Sequence, residues 1–217
     1  MKQPRSFWVL LAIGGIPTAT IAWYIGPALF ALLSGNARTY SVPSMSMAPT
    51  LVSGDRFYAE KADPGKIRRG DVIVFLNESQ NAQWVMRVAA MPGDMIELRN
   101  GIVILNGIAV EQRKISKSVV DEHGRKIERI RLNEQFPGET DTHEIFDDGE
   151  RLGDNYPAIT LRAAHYFVLG DSRDNAADSR FGPEMMGAGV IASDRITGHA
   201  TTIYASKDPA RIGQKIR

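Results

Sequence analysis

The strongest constraint in this sequence is the 27-residue stretch from Phe7 to Leu33, which carries no charged side chain. As an α-helix it would extend about 40 Å, whereas the hydrocarbon core of a bilayer is about 30 Å thick. The apolar region of a cleaved secretory signal is only about 7–15 residues long, so this length favours an uncleaved anchor. Lys2 and Arg5 precede the stretch, and the positive-inside rule then places the amino terminus in the cytoplasm.

These features predict a single-pass protein of the cell membrane. Residues 1–6 form the cytoplasmic tail, residues 7–33 form the transmembrane anchor, and the body lies on the extracytoplasmic side, next to membrane lipid. The body is close to electrical neutrality, because residues from 37 onward carry 24 of the 26 Lys+Arg and all 25 Asp+Glu, a balance of 24 − 25 = −1. A nucleic-acid partner is therefore not expected.

The composition also excludes several kinds of site. With no cysteine, the chain has no disulfide, no thiolate metal site and no cysteine nucleophile. The histidines show no ligand pairing at short spacing; they are His123, His143, His165 and His199. No metal and no cofactor are expected.

After the polar break at Ser34-Gly35-Asn36, the body has the pattern of many short strands separated by turns. Asn100-Gly101 and Asn106-Gly107 separate apolar runs and predict tight hairpins. No helix of convincing length is indicated, so the fold class is antiparallel all-β. The predicted strands are Asp71–Leu76, Trp84–Met91, Ile96–Leu98, Ile102–Leu105, His165–Leu169 and Ile196–Tyr204.

Residues 111–160 differ from the rest of the body because they contain long polar stretches with few apolar anchors. We interpret them as an inserted β-rich lobe with its own hairpins, and the alternative is a set of long surface loops. The predicted β core then comprises residues 37–110 and 161–205, followed by a tail at 206–217.

Two segments carry candidate chemistry. The loop Pro43–Leu51 contains Ser44 and Ser46 and has a proline near each end, directly after the predicted anchor. The segment Gly170–Arg180 is dense in charge and follows an apolar strand, which is equally typical of an ion-pair network that braces a loop. Its acidic residues lack the spacing of a calcium loop.

Four blocks together resemble the membrane-bound type I signal peptidases, in the order and spacing of that family. They are Pro43–Leu51, Gly70–Phe75, Arg87–Asp94 and Gly170–Arg180. The resemblance implies a serine endopeptidase that removes signal peptides from exported precursor proteins. It implies two antiparallel sheets forming a β-sandwich, with an added β-rich lobe. The sequence does not specify the oligomeric state.

The resemblance also implies roles for individual residues. Ser46 is the nucleophile, and the Ser44 hydroxyl joins the Ser46 amide in the oxyanion hole. The structural network comprises Asp171, Arg173, Asp178 and Arg180. The substrate-binding residues are Tyr40, Met45, Trp84 and Val85, for which ordinary sheet packing is the alternative.

The chain departs from the family at the general base. Met86 occupies the position of the catalytic lysine, and no lysine lies between Lys66 and Lys114. Ala176 replaces the serine that holds the lysine amine in the family, and Ser172 replaces an asparagine. A thioether is no base at neutral pH, although methionine can fill the same slot by packing.

Three interpretations follow. The chain is a working peptidase with another base, for which His165 and Lys61 are candidates by chemistry alone. Alternatively, it is a catalytically silent homologue that acts as a membrane-anchored binding module for exported chains. In the third interpretation, Met86 was introduced artificially. A single engineered change does not account for the second departure, at Ala176.

Overall fold

The computed structural model of the chain describes residues 35–122, 124–139 and 141–217. The regular structure in this part consists of strands and short 3-10 turns, so the antiparallel all-β prediction is confirmed. The predicted tail 1–6, the predicted anchor 7–33 and His123 lie outside the described residues. In the described part, no helix is long and apolar enough to cross a membrane.

Seven strands form the largest sheet, in the order β1-β2-β14-β3-β4-β12-β13. Its main core contains residues 72–75 of β3, from both faces of that strand, together with Met47 and Leu51 of the serine-containing loop. That loop is therefore anchored in the core rather than lying free on the surface. The strands are β1 (Ala37–Ser41), β2 (Arg56–Lys61), β3 (Val72–Asn77), β4 (Ala82–Ala90), β12 (His165–Leu169), β13 (Ile191–Ala192) and β14 (Ile196–Ala205).

A second, four-stranded sheet has the order β11-β5-β6-β7. Strand β12 connects the two cores, because Tyr166 and Val168 face the first core while Phe167 and Leu169 face the second. This alternation is what a strand buried on both faces requires. The strands of this sheet are β5 (Met95–Arg99), β6 (Ile102–Leu105), β7 (Ile108–Ala109) and β11 (Tyr156–Thr160).

Both predicted Asn-Gly hairpins are present. Asn100 and Gly101 connect β5 to β6 with φ of 49° and 78°, and Asn106 and Gly107 connect β6 to β7 with φ of 52° and 83°. Two consecutive residues with positive φ match the twist of paired strands, and Asn-Gly adopts this conformation at low cost.

The three-stranded sheet occupies most of the predicted insertion, with the order β10-β9-β8. Its strands are β8 (Glu111–Glu122), β9 (Arg125–Gln135) and β10 (His143–Asp147). The alternative of long surface loops is wrong for these residues. The range 111–160 also includes β11, which pairs with β5 and so belongs to the four-stranded sheet.

Candidate active site

The serine loop is held against the segment that follows β12. The Ser172 amide donates to the Ser46 carbonyl oxygen at 3.0 Å, and the Ser44 and Ser46 hydroxyl oxygens are 3.1 Å apart. Among the described residues, no acceptor takes the Ser46 amide hydrogen. Gly170 permits the close approach, because a Cβ there would lie 2.6 Å from the Ser46 carbonyl oxygen and 2.3 Å from Cβ of Ala176.

A cleft of about 400 Å³ opens beside the two serines. Tyr40, Trp84 and Val85 line it, as does Met86. Met45 does not: its sulfur accepts a hydrogen bond from the Ser53 amide at 3.4 Å, and 39% of the residue is exposed. The other lining residues are Ser41, Val42, Pro43, Ser44, Ser46, Phe57, Val74, Ala82, Gln83, Asn175 and Ala177.

The cleft is bordered by two strand edges that lack a hydrogen-bonded partner strand among the described residues. Residues 82–86 of β4 pair with β3 on one side, whereas β12 pairs with β4 only along residues 87–90. At the other end of the sheet, β1 pairs with β2 and with no other described strand. Unpaired strand edges offer backbone donors and acceptors to an added peptide strand.

Met86 lies in β4 opposite Ile73 of β3, and only 3% of it is exposed. Its side chain thus fills the position where the family resemblance expects a lysine, between the core and the cleft. The described residues that line the cleft include no lysine, histidine, aspartate or glutamate. His165 and Lys61 are not among them: the His165 ring contacts the Ala163 carbonyl, and Lys61 borders a different pocket beside Arg38.

Arg87 joins all four sequence blocks, and its side chain is 1% exposed. Its guanidinium donates to Asp171 at 2.8 and 2.7 Å, to the Gly70 carbonyl at 2.7 Å and to the Thr50 hydroxyl at 3.2 Å. Burial disfavours its charged form, but the Asp171 carboxylate outweighs burial, and the pKa of Arg87 is raised. The sequence signal was an arginine inside an apolar strand, which needs a buried partner.

The other predicted network residues form two further ion pairs. Arg180 donates from two nitrogens to Asp178 at 2.8 and 2.9 Å, and the Asp178 carboxylate accepts from the Gly170 amide at 3.0 Å. Arg173 instead pairs with Glu134 of the three-stranded sheet. Glu134 was not among the predicted site residues, since nothing in a polar insertion marks one glutamate as buried.

Asp174 is the charged residue of this segment whose burial is least compensated by hydrogen bonds and opposite charges. Its Oδ2 accepts from the Asp148 amide at 2.6 Å, while its buried Oδ1 has no hydrogen-bond partner among the described residues. Burial, followed by the nearby Asp147 and Asp154 carboxylates, raises its pKa to about 6. The described residues contain no group of three or more acidic or histidine side chains placed to hold a metal ion.

We expect Asp174→Asn to stabilise the fold above about pH 6. The folded-state pKa of about 6 exceeds the ordinary value of 3.8, so the natural chain loses stability as pH rises through this window. Because the side chain is only half-buried, the gain should be about 1 kcal/mol at pH 8 and should vanish near pH 4. Urea unfolding at several pH values measures it; an equal gain at both extremes would contradict this explanation.

The comparisons with known proteins all find similarity to signal peptidases. The family model "Signal peptidase, peptidase S26" matches residues 16–205. Signal peptidase I T of Bacillus subtilis (strain 168) is 26% identical over 167 residues, which cover 76% of this chain and 72% of that protein. Signal peptidase I U of the same strain is 27% identical over 206 residues, which cover 94% of this chain and 91% of that protein.

A solved structure is also similar, namely signal peptidase I from Enterococcus faecalis V583. Its TM-score is 0.36 and its sequence identity is 21%, and the match covers 62% of this chain and 96% of that chain.

Proposed function

The chain belongs to the signal peptidase family, peptidase S26, and from this premise we propose that it binds the signal-peptide region of exported precursors in the cleft beside Ser46 without cleaving it efficiently. The unpaired edge of β4 at residues 82–86, which lines that cleft, carries the binding part of the proposal. An extended peptide gains backbone hydrogen bonds at such an edge, and the small apolar cleft accepts its side chains.

The absence of efficient cleavage follows from the chemistry of the cleft. A serine hydroxyl needs a base within hydrogen-bond reach before it attacks a carbonyl. Among the described residues, the Ser46 hydroxyl hydrogen-bonds only the Ser44 hydroxyl. Met86, at the position where the family resemblance expects a lysine, is buried and supplies no base. Ala176, at the position where the resemblance expects a serine, offers no hydroxyl to hold an amine.

The second candidate is a working serine endopeptidase that removes signal peptides. The observation that favours it is the surrounding of Ser46. Its amide has no acceptor among the described residues and the Ser44 hydroxyl lies 3.1 Å from the Ser46 hydroxyl, so two donors are available to an oxyanion. In this candidate the base comes from outside the described lining of the cleft.

Residues 7–33 anchor the protein in the membrane in both candidates, with the body on the extracytoplasmic side. The support for this part of the proposal is the uncharged length of the segment and the charges that precede it.

The test uses the full chain in detergent and a fluorescent precursor with a small-x-small signal site. We expect binding without detectable cleavage, and equal affinity in the natural chain, in Ser46→Ala and in Ser53→Ala. Ser53 is the control because it lies between the serine loop and β2 and does not line the cleft. Ala177→Trp should fill the cleft and weaken binding about tenfold or more. Cleavage that disappears only in Ser46→Ala would instead establish the second candidate.

A further inference from the structure

The segment Asp171–Asp174, here called the site segment, lies between the serine loop and the three-stranded sheet. On one side, its Ser172 amide binds the Ser46 carbonyl at 3.0 Å. On the other side, the Phe146 amide of β10 donates to the Asp171 carbonyl at 2.8 Å. Two backbone hydrogen bonds therefore connect the three-stranded sheet to Ser46 through the site segment.

The side-chain connection between the sheet and the site segment is Glu134, which is 0% exposed. Its carboxylate accepts from Arg173 at 3.0 Å, from the Gln112 side-chain nitrogen Nε2 at 2.8 Å and from Nε2 of His143 at 3.1 Å. Burial disfavours its charged form, but Arg173 and His143 more than offset this and hold the pKa of Glu134 well below its usual range. A carboxylate with this set of donors has a fixed position.

His143 in β10 is buried, with 4% of its side chain exposed, and its ring lies 4.9 Å from that of Phe136. Its Nδ1 is 3.9 Å from the Glu139 carboxylate in the turn after β9. Burial, followed by Arg87 of β4, lowers the pKa of His143, although Glu134 of β9 and Asp171 act in the opposite direction. The neutral ring then donates from Nε2 to the ionised Glu134.

We propose that Glu134 is a positioning residue for the cleft, because its ion pair with Arg173 fixes the site segment. Protonation of His143 weakens that ion pair and so releases the site segment. The functional consequence rests on the proposed binding of peptides in that cleft. A proton on His143 places a second buried cation beside Arg173, and the two cations compete for one carboxylate. Burial raises the pKa of Glu139, so burial also disfavours the ionised form of this neighbour, whose carboxylate is 3.9 Å from Nδ1 of His143.

The experiment measures hydrogen exchange of the full chain in detergent, without peptide, over residues 44–51 and 170–176, corrected for the intrinsic effect of pH. In Glu134→Gln we expect both segments to exchange about tenfold faster at neutral pH. In the natural chain they should accelerate as the pH falls below about 6.5, because the pKa of His143 is lowered from that ordinary value, and in His143→Gln this acceleration should be absent. Glu144→Gln is the matched control, because Glu144 pairs with Arg131 in the same sheet and does not contact the site segment.

The outcomes separate positioning from a general loss of stability. Unchanged exchange in Glu134→Gln, or the same acid acceleration in His143→Gln as in the natural chain, overturns the proposal. If Glu134→Gln accelerates hydrogen exchange throughout the chain, that variant reports a general loss of stability. The comparison of His143→Gln with the natural chain at neutral and acidic pH then decides whether the proposal holds. If the expected changes in hydrogen exchange are observed but the chain binds no signal peptide at any pH, the positioning role of Glu134 is supported and the proposed function is rejected.

Discussion

Met86→Lys together with Ala176→Ser should convert the chain into an endopeptidase whose activity depends on Ser46. Met86 is unbranched and buried against the cleft, so a lysine of similar length is expected to follow the same path and bring its amine beside the serine hydroxyls. The surroundings are apolar, with Phe57 and Val74 also lining the cleft. Burial there lowers the pKa of an amine and makes it a base at neutral pH.

The expected gain is large, because members of a catalytic unit act together. Removing one of them can cost up to about 10⁶-fold in rate, so introducing a base at position 86 should raise cleavage at least about 10³-fold. Met86→Lys alone should gain less, since Ala176 offers its amine no hydroxyl partner. The measurement is the initial rate of precursor cleavage by the purified full chain.

Two controls make the result specific. The triple variant that adds Ser46→Ala should be inactive, and Met86→Gln with Ala176→Ser should be inactive because a neutral amide is no base. A double variant that still binds the precursor but does not cleave it would show that a lysine at position 86 with a serine at position 176 is not sufficient for catalysis. Ser46-dependent cleavage by the natural chain would point to a base that does not line the described cleft.

The sequence predicted the all-β fold well because its signals are local. Short apolar runs and Asn-Gly turns each determine a few neighbouring residues, and the structure places hairpins at Asn100-Gly101 and Asn106-Gly107. The four blocks could be recognised for a physical reason as well. Arg87 contacts one residue from each of the other three, so these residues have to be compatible with one another.

Contacts between distant segments could not be predicted from local patterns. Arg173 and Glu134 are 39 positions apart, and several carboxylates in the polar insertion were equally available as partners. Met45 shows the same limit at short range, since it precedes Ser46 by one residue but its sulfur contacts Ser53 instead of lining the cleft. Side-chain direction in an irregular loop depends on tertiary packing, which residue spacing does not encode.

The Arg87–Asp171 pair should be the most sensitive point of the fold to a single substitution. Both side chains are 1% exposed, and Asp171→Asn would leave the guanidinium buried without a counter-charge. Breaking a buried pair in this way typically costs about 3–5 kcal/mol. The matched control is Glu97→Gln, whose partner Arg99 is 67% exposed, and an exposed pair contributes only about 0–1 kcal/mol.

Urea unfolding of the full chain in detergent measures both variants, and a double-mutant cycle with Arg87→Met separates the pair from its other contacts. The Arg87→Met variant also loses the bonds to Gly70 and Thr50, so it should be destabilised at least as much as Asp171→Asn. The double variant should lose less than the sum of the two, because the second change no longer leaves a charge unpaired. Strict additivity, or a loss in Asp171→Asn no larger than in Glu97→Gln, would mean that the four blocks are held together by apolar packing around Arg87 and not by its charge.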